Sequence, residues 1–213
     1  MTAFAILASG PSLTADDCAA VRAWRVEDQA RRRVMAINTT FRSALWADYL
    51  YAADREWWRH YAAEVLATFR GECWTQDQPS ARDYGLRYIY ARPRAGLCRE
   101  PWVIHHGGYG VGNSGFQALN LAYHLGARRM ILLGYDMRGA PRDGRMHHHP
   151  DHPKRVDKGA MPFAAWRANM PSIADPLRAE GIDVVNCSPI SALTCFRRAS
   201  LADALAEPME AAA

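Results

Sequence analysis

An α/β fold with a mostly parallel sheet and helices on both faces is predicted by three features of the 213-residue chain. Short apolar runs alternate with stretches of helical period, glycine-containing turns separate them, and polar residues collect just past the apolar runs. Phe4–Ala8 is the first such run and ends at Ser9-Gly10-Pro11-Ser12. The stretch Leu13–Trp24 follows, with Thr14 as N-cap and Asp16 and Asp17 in its first turn, where carboxylates favour the helix dipole. Strand, glycine turn and helix open a Rossmann-like unit.

Val34–Asn38 and Tyr49–Ala53 read as the next strands, ending at Asn38-Thr39-Thr40 and at Asp54. Arg55–Phe69 carries Trp58, Tyr61, Ala62, Val65, Leu66 and Phe69 at helical spacing and is predicted as an amphipathic helix. Between Gly71 and Pro101 only Gly71–Thr75 and Leu86–Tyr90 look strand-like. The Asn113-Ser114-Gly115 turn opens a helix over Phe116–Leu125, which Gly126 stops. Met130–Leu133 is a strand leading to Gly134-Tyr135-Asp136, Pro171–Glu180 a helix ended by Gly181, and Ile182–Asn186 the last strand. These elements give one Rossmann-like domain over residues 1–205, with 206–213 as a flexible tail.

The composition, 49% hydrophobic and 23% charged, is that of a globular chain and excludes a disordered one. Five dispersed cysteines without CxxC spacing argue against a disulfide framework or structural zinc and favour a reducing cytoplasm. No run reaches the roughly 18 apolar residues of a membrane span, so a soluble, cytoplasmic protein is expected.

In an open α/β sheet, ligands bind at the carboxyl ends of the strands. Those ends carry Ser9, Gly10, Pro11 and Ser12, then Asn38 and Thr39, then Asp54, Asp136 and Asn186-Cys187-Ser188. Gly10 would let backbone approach a phosphate or ribose, and a Gly10→Val chain would then fold but lose its ligand. Asn113, Ser114 and Gly115 repeat the device at a second helix start. Trp46, Trp57 and Trp58 are expected in the core.

Arg138, Arg142, Arg145, Lys154, Arg155 and Lys158 fall within 21 residues, beside His147, His148, His149 and His152. Such a stretch is either a solvated basic loop or a polyanion site for phosphates or nucleic acid. Adjacent histidines lack the i, i+4 spacing of helical metal ligands, so no catalytic metal is expected. A single histidine acting as general base suits the run better. His105 and His106 are alternatives, whereas His60 and His124 sit in helical patterns as surface or packing residues.

Ile6–Leu13, Ala36–Phe41, Asn113-Ser114-Gly115, Ile131–Asp136 and Ile182–Ser191 together resemble one superfamily in sequence order. It contains the bacterial sialyltransferases of glycosyltransferase family 42 and the domain of unknown function 115 proteins. The latter include flagellin-modifying motility factors and archaeal hydroxymethylpterin diphosphokinases. Compact chains of this pattern are similar to those of phages and prophages. The resemblance implies a transferase that moves a sugar from a nucleotide donor to an acceptor hydroxyl. The acceptor could be a glycan, a small molecule or a modified nucleic acid. It places the nucleotide on Gly10, Pro11 and Ser12, on Asn38, and on Ser114 and Gly115. The base would follow the Gly-x-Asp strand, with His149 or His152 preferred by their order along the chain, and Asp136 would orient it or the ribose. The tyrosines that meet the donor phosphate in the sialyltransferases have no match. Arg138, Arg142 and Arg145 stand there and suit a nucleoside diphosphate. The diphosphokinase alternative would need Mg²⁺ on Asp136 and Asp54. A third alternative is a nucleotide-sequestering protein without catalysis.

Overall fold

The computed structural model describes residues 1–108, 112–140, 144–150 and 161–208. Along the chain come β1 (Thr2–Leu7), α1 (Ala15–Glu27), β2 (Arg32–Ile37), β3 (Tyr49–Tyr51), α2 (Arg55–Thr68), β4 (Glu72–Thr75), α3 (Gln78–Tyr84) and β5 (Arg87–Tyr88). A two-stranded ribbon, β6 (Tyr90–Arg92) and β7 (Val103–His105), leads to α4 (Ser114–His124) and β8 (Ala127–Leu133). Then follow α5 (Phe163–Asn169), α6 (Pro171–Ala179), β9 (Asp183–Asn186), β10 (Arg197–Arg198) and α7 (Leu201–Ala206). The main sheet has eight strands in the order β10-β9-β8-β1-β2-β3-β4-β5, and every pair in it is parallel.

Strand period explains how the sheet carries a core on each face. Phe4 and Ile6 of β1 join Met35, Ile37, Met130 and Leu132 in the cluster under α4 and α6. Ala3, Ala5 and Leu7 point the other way, with Val34, Ala36, Ile131 and Leu133, into the cluster under α1 and α2. Helix α1 starts where the sequence predicts. Thr14 accepts from the Asp17 amide and Asp17 reaches back to the Thr14 amide, a complete capping box.

Several elements differ from the sequence expectation. The run Leu86–Tyr90 splits, because the Ile89 amide bonds the Thr75 carbonyl and the chain then leaves the main sheet to pair with β7. Asn38 is not the end of a strand: it turns left-handed (φ 51°) and opens a 3-10 segment over Asn38–Ser43. Helices α3, α5 and α7 have seven, seven and six residues, too short to show a helical period. Glu207, inside the stretch read as a tail, is held by the guanidinium groups of Arg129 and Arg197.

Chain order sets where a ligand can enter. From β1 the chain runs outward through β2 to β5, returns through α4, and builds β8 to β10 on the other side of β1. The switch point is therefore between β1 and β8, and the loops leaving their carboxyl ends part there.

Candidate functional site

The Gly134-Tyr135-Asp136 turn after β8 holds the carboxyl edge together. Its Gly134 carbonyl accepts the Gly10 amide at 3.0 Å. Tyr135 donates its hydroxyl to the Gly115 carbonyl at 3.0 Å and its amide to Ser188 Oγ at 2.8 Å. Asp136, 1% exposed, accepts the Ser12 amide at 2.8 Å and the Ser12 hydroxyl at 2.5 Å, one on each oxygen. Burial raises its carboxyl above the usual range, and the Ser12 hydrogen bonds together with Arg198 and Arg138 oppose that rise. The turn thus pins the loop after β1 and the first turn of α4 to one edge.

This geometry reassigns several residues. Gly10 is bare because the turn comes close, not because a ligand does. A Cβ there would lie 2.3 Å from the Gly134 carbonyl oxygen and 2.5 Å from Asp136 Oδ2. The Gly10 and Ser12 amides are both consumed inside the protein, so neither cradles a phosphate. Asp136 clamps Ser12 and bonds no described histidine, and it is a poor Mg²⁺ ligand, since both its oxygens are bonded and the residue is buried. Thr39 accepts the Trp57 indole N–H at 3.1 Å within the core. Asp54 stands at the N-cap position of α2, two strands from β1, and its charge raises the buried Tyr51 hydroxyl's pKa beyond the rise caused by burial. Among the described residues no three His, Cys, Asp or Glu side chains group as metal ligands.

The two helix starts are not equivalent. At α1 the capping box and the acidic residues Asp16 and Asp17 already complement the dipole, which disfavours a phosphate. At α4 the first turn carries no acidic residue. Asn113 Oδ1 caps it by accepting the Phe116 amide at 2.8 Å, while the Ser114 and Gly115 amides bond no other described residue. Gly115 lacks a side chain because the Tyr135 ring lies against it, 3.0 Å from where a Cβ would be. The α4 first turn reaches from Tyr135 to β3, where the Tyr51 hydroxyl bonds Gln117 Oε1 at 2.8 Å. Asn38, at the end of β2 between those strands, keeps a buried Oδ1 with no hydrogen-bond partner among the described residues. A buried amide oxygen left so is costly unless something else satisfies it.

Among the described histidines of the loop, His148 is held at the edge by contacts to Ser9 and Thr40. Its amide donates to the Ser9 carbonyl at 3.1 Å, and its Nε2 lies 3.1 Å from Thr40 Oγ1. Burial, with a smaller contribution from His147, lowers its pKa to about 4. His149 has its Nδ1 2.8 Å from the Pro150 carbonyl and stacks on His147, with ring centroids 4.9 Å apart. His105 contacts the Gly96 carbonyl and His124 the Val103 carbonyl, both packing roles, and His106 is lowered by burial and by His105. Arg138 is exposed just past Asp136 and the left-handed Met137, and Arg145 is exposed as well. Arg142 and His152 lie outside the described residues, as do Lys154, Arg155 and Lys158.

Trp57 and Trp58 are core residues, 3% and 0% exposed. Trp46 is not. It is partly exposed and lines an open groove of about 920 Å³ with α1, Ser43 and His148. No signal in the sequence separates His148 from its neighbours, because adjacent loop residues carry no periodicity.

A lowered histidine pKa makes a stability forecast. Between about pH 6.5 and pH 4 the unfolded chain binds the His148 proton and the folded chain does not. Stability is therefore complete above pH 6.5 and falls as pH drops through that window. Allowing for partial solvent screening, the loss is on the order of 1–2 kcal/mol. Thermal melts at pH 7 and pH 4.5 should show this loss in the wild type and not in His148→Gln. Equal losses in the two proteins would contradict the buried neutral imidazole.

No family model matches the chain, and no curated protein or solved structure matches it. Among the described residues no helix is long and apolar enough to cross a membrane. Fold and edge geometry define a parallel α/β protein with its strand-end loops gathered at the β1/β8 switch point.

Proposed function

We propose that the chain is a nucleotide-dependent transferase that moves a sugar from a nucleotide donor to an acceptor hydroxyl, with His148 as general base. The observation that carries this reading is the His148 imidazole, neutral at pH 7 and held on the carboxyl edge between Ser9 and Thr40. Asn38, with its unsatisfied oxygen, would take a nucleoside donor group. The amides of Ser114 and Gly115, which bond no other described residue, would take the phosphate, and Arg138 would offset the charge of the leaving group.

In the tautomer that donates Nε2–H to Thr40 Oγ1, Nδ1 is the basic atom. It removes the acceptor hydroxyl proton as that oxygen bonds the anomeric carbon. The bond from that carbon to the donor phosphate breaks, and its electron pair leaves with the nucleotide. A donor phosphate beside the imidazole would raise its pKa from about 4 toward neutrality, where a base works best. The diphosphokinase alternative is weakened by the engagement of Asp136 with Ser12.

The test is release of free nucleotide from a panel of nucleotide sugars, with and without simple glycoside acceptors. Acceptor-dependent release is expected. Tight binding without any release would favour a sequestering protein, and binding of no nucleotide would overturn the reading.

A further inference from the structure

We infer that the groove between α1 and Trp46 is the acceptor site, and that it takes a sugar ring bearing a carboxylate. The inference rests on the transferase reading for the word acceptor, but the groove's chemistry stands on its own residues. At about 920 Å³ the groove is large enough for one or two sugar rings. One wall is a single face of α1, where Cys18, Arg22 and Val26 follow one another at i, i+4 and i+8. Ser43, Trp46 and His148 line the rest of it. Burial pushes the Cys18 thiol up to about 11, so it is a wall and not a nucleophile.

Two features point to the ligand. Trp46 is partly exposed and lines the groove, whereas Trp57 and Trp58 are buried and bond Thr39 and Ala52. An indole face is a flat apolar surface that suits the C–H face of a sugar ring. Arg22 is exposed on the groove and pairs with no carboxylate among the described residues. Its neighbours differ: Arg25 is bidentate on Asp48, and Arg32 bonds Glu27. Glu27 also lines the groove, but Arg32 neutralises it, so the charge left over is that of one guanidinium. A neutral sugar would use Trp46 and leave Arg22 idle. A carboxylate uses both, because the guanidinium fork matches it. His148 contacts Ser9 and Thr40 and also lines the groove, so the groove connects the imidazole with the Trp46 and Arg22 surface.

The test compares methyl β-D-glucuronide with methyl β-D-glucoside, titrated into the full chain and read by ligand-observed saturation-transfer NMR. The glucuronide is expected to bind at least tenfold more tightly. Arg22→Gln should erase that difference, Trp46→Ala should lose both ligands, and Trp46→Phe should keep them. Thermal stabilisation by a nucleotide should be unchanged in Arg22→Gln. Equal binding of the two glycosides, glucuronide binding untouched by Arg22→Gln, or binding of neither would overturn the inference. A chain that binds the glucuronide but none of the nucleotides would sink the transferase reading and leave the groove as a site for a carboxylate-bearing sugar.

Discussion

His148→Ala is expected to lower acceptor-dependent nucleotide release by about 10²–10⁴-fold while leaving nucleotide affinity within a few-fold. The reason is positional. His148 is held at the edge by two contacts, its amide on Ser9 and its ring on Thr40, and a base must be within hydrogen-bond reach of the proton it takes. His149, turned toward Pro150, is expected to lose much less on replacement by alanine. Thr40→Val keeps the shape but removes the hydroxyl that fixes the ring, and should cost an intermediate amount. The order of the three losses is the decisive result. A larger loss for His149→Ala than for His148→Ala would move the base to the next residue.

Gly134→Ala is expected to destabilise the fold by about 3 kcal/mol or more, because two penalties coincide. Gly134 has φ 68°, and its Cβ would lie 2.4 Å from the Ala8 carbonyl oxygen. Backbone on both sides leaves nothing flexible to move aside. Gly10→Val meets the same turn from the other loop and should fall in the same range. It is therefore expected to unfold readily, not to fold and merely lose its ligand. Gly181→Ala is the control: φ is 69°, but no atom lies within 4 Å of the added carbon, so only about 1 kcal/mol is at stake. For a domain this size the first two correspond to a midpoint lowered by roughly 6–12 °C, and the control to about 2–4 °C. Similar midpoints for all three would mean that the β1 and β8 loops are not pinned as described.

The fold was legible because its signals are long and redundant. Phe4–Ala8 and Met130–Leu133 are fully apolar runs, Thr14 has Asp17 three residues on, and Gly126 and Gly181 do stop helices with positive φ. Short elements were not legible: α3 and α7 are about two turns or less, and β10 is two residues. At the edge the sequence picks out loops that the fold gathers beside β1 and β8, but not the contacts those loops make. Ser12 and Asp136 suit a ligand by residue type, yet they bond each other across 124 residues of chain, with Gly10 packed against the same turn. Nothing local can reveal that pairing, since each residue type suits either use. Arg22 and Trp46 were invisible for a similar reason. Their meaning depends on which neighbouring arginines and tryptophans are already paired or buried.

The most direct test of a nucleotide site at the β1/β8 switch point is amide hydrogen exchange with and without a saturating nucleotide chosen from the panel. Protection is predicted to concentrate in residues 38–41, 112–117 and 134–138, and at 147–149, with little change along α2 and α7. Protection centred instead on the opposite, amino edge of the sheet, where Arg33, Arg70 and Tyr49 line a second groove, would contradict the account.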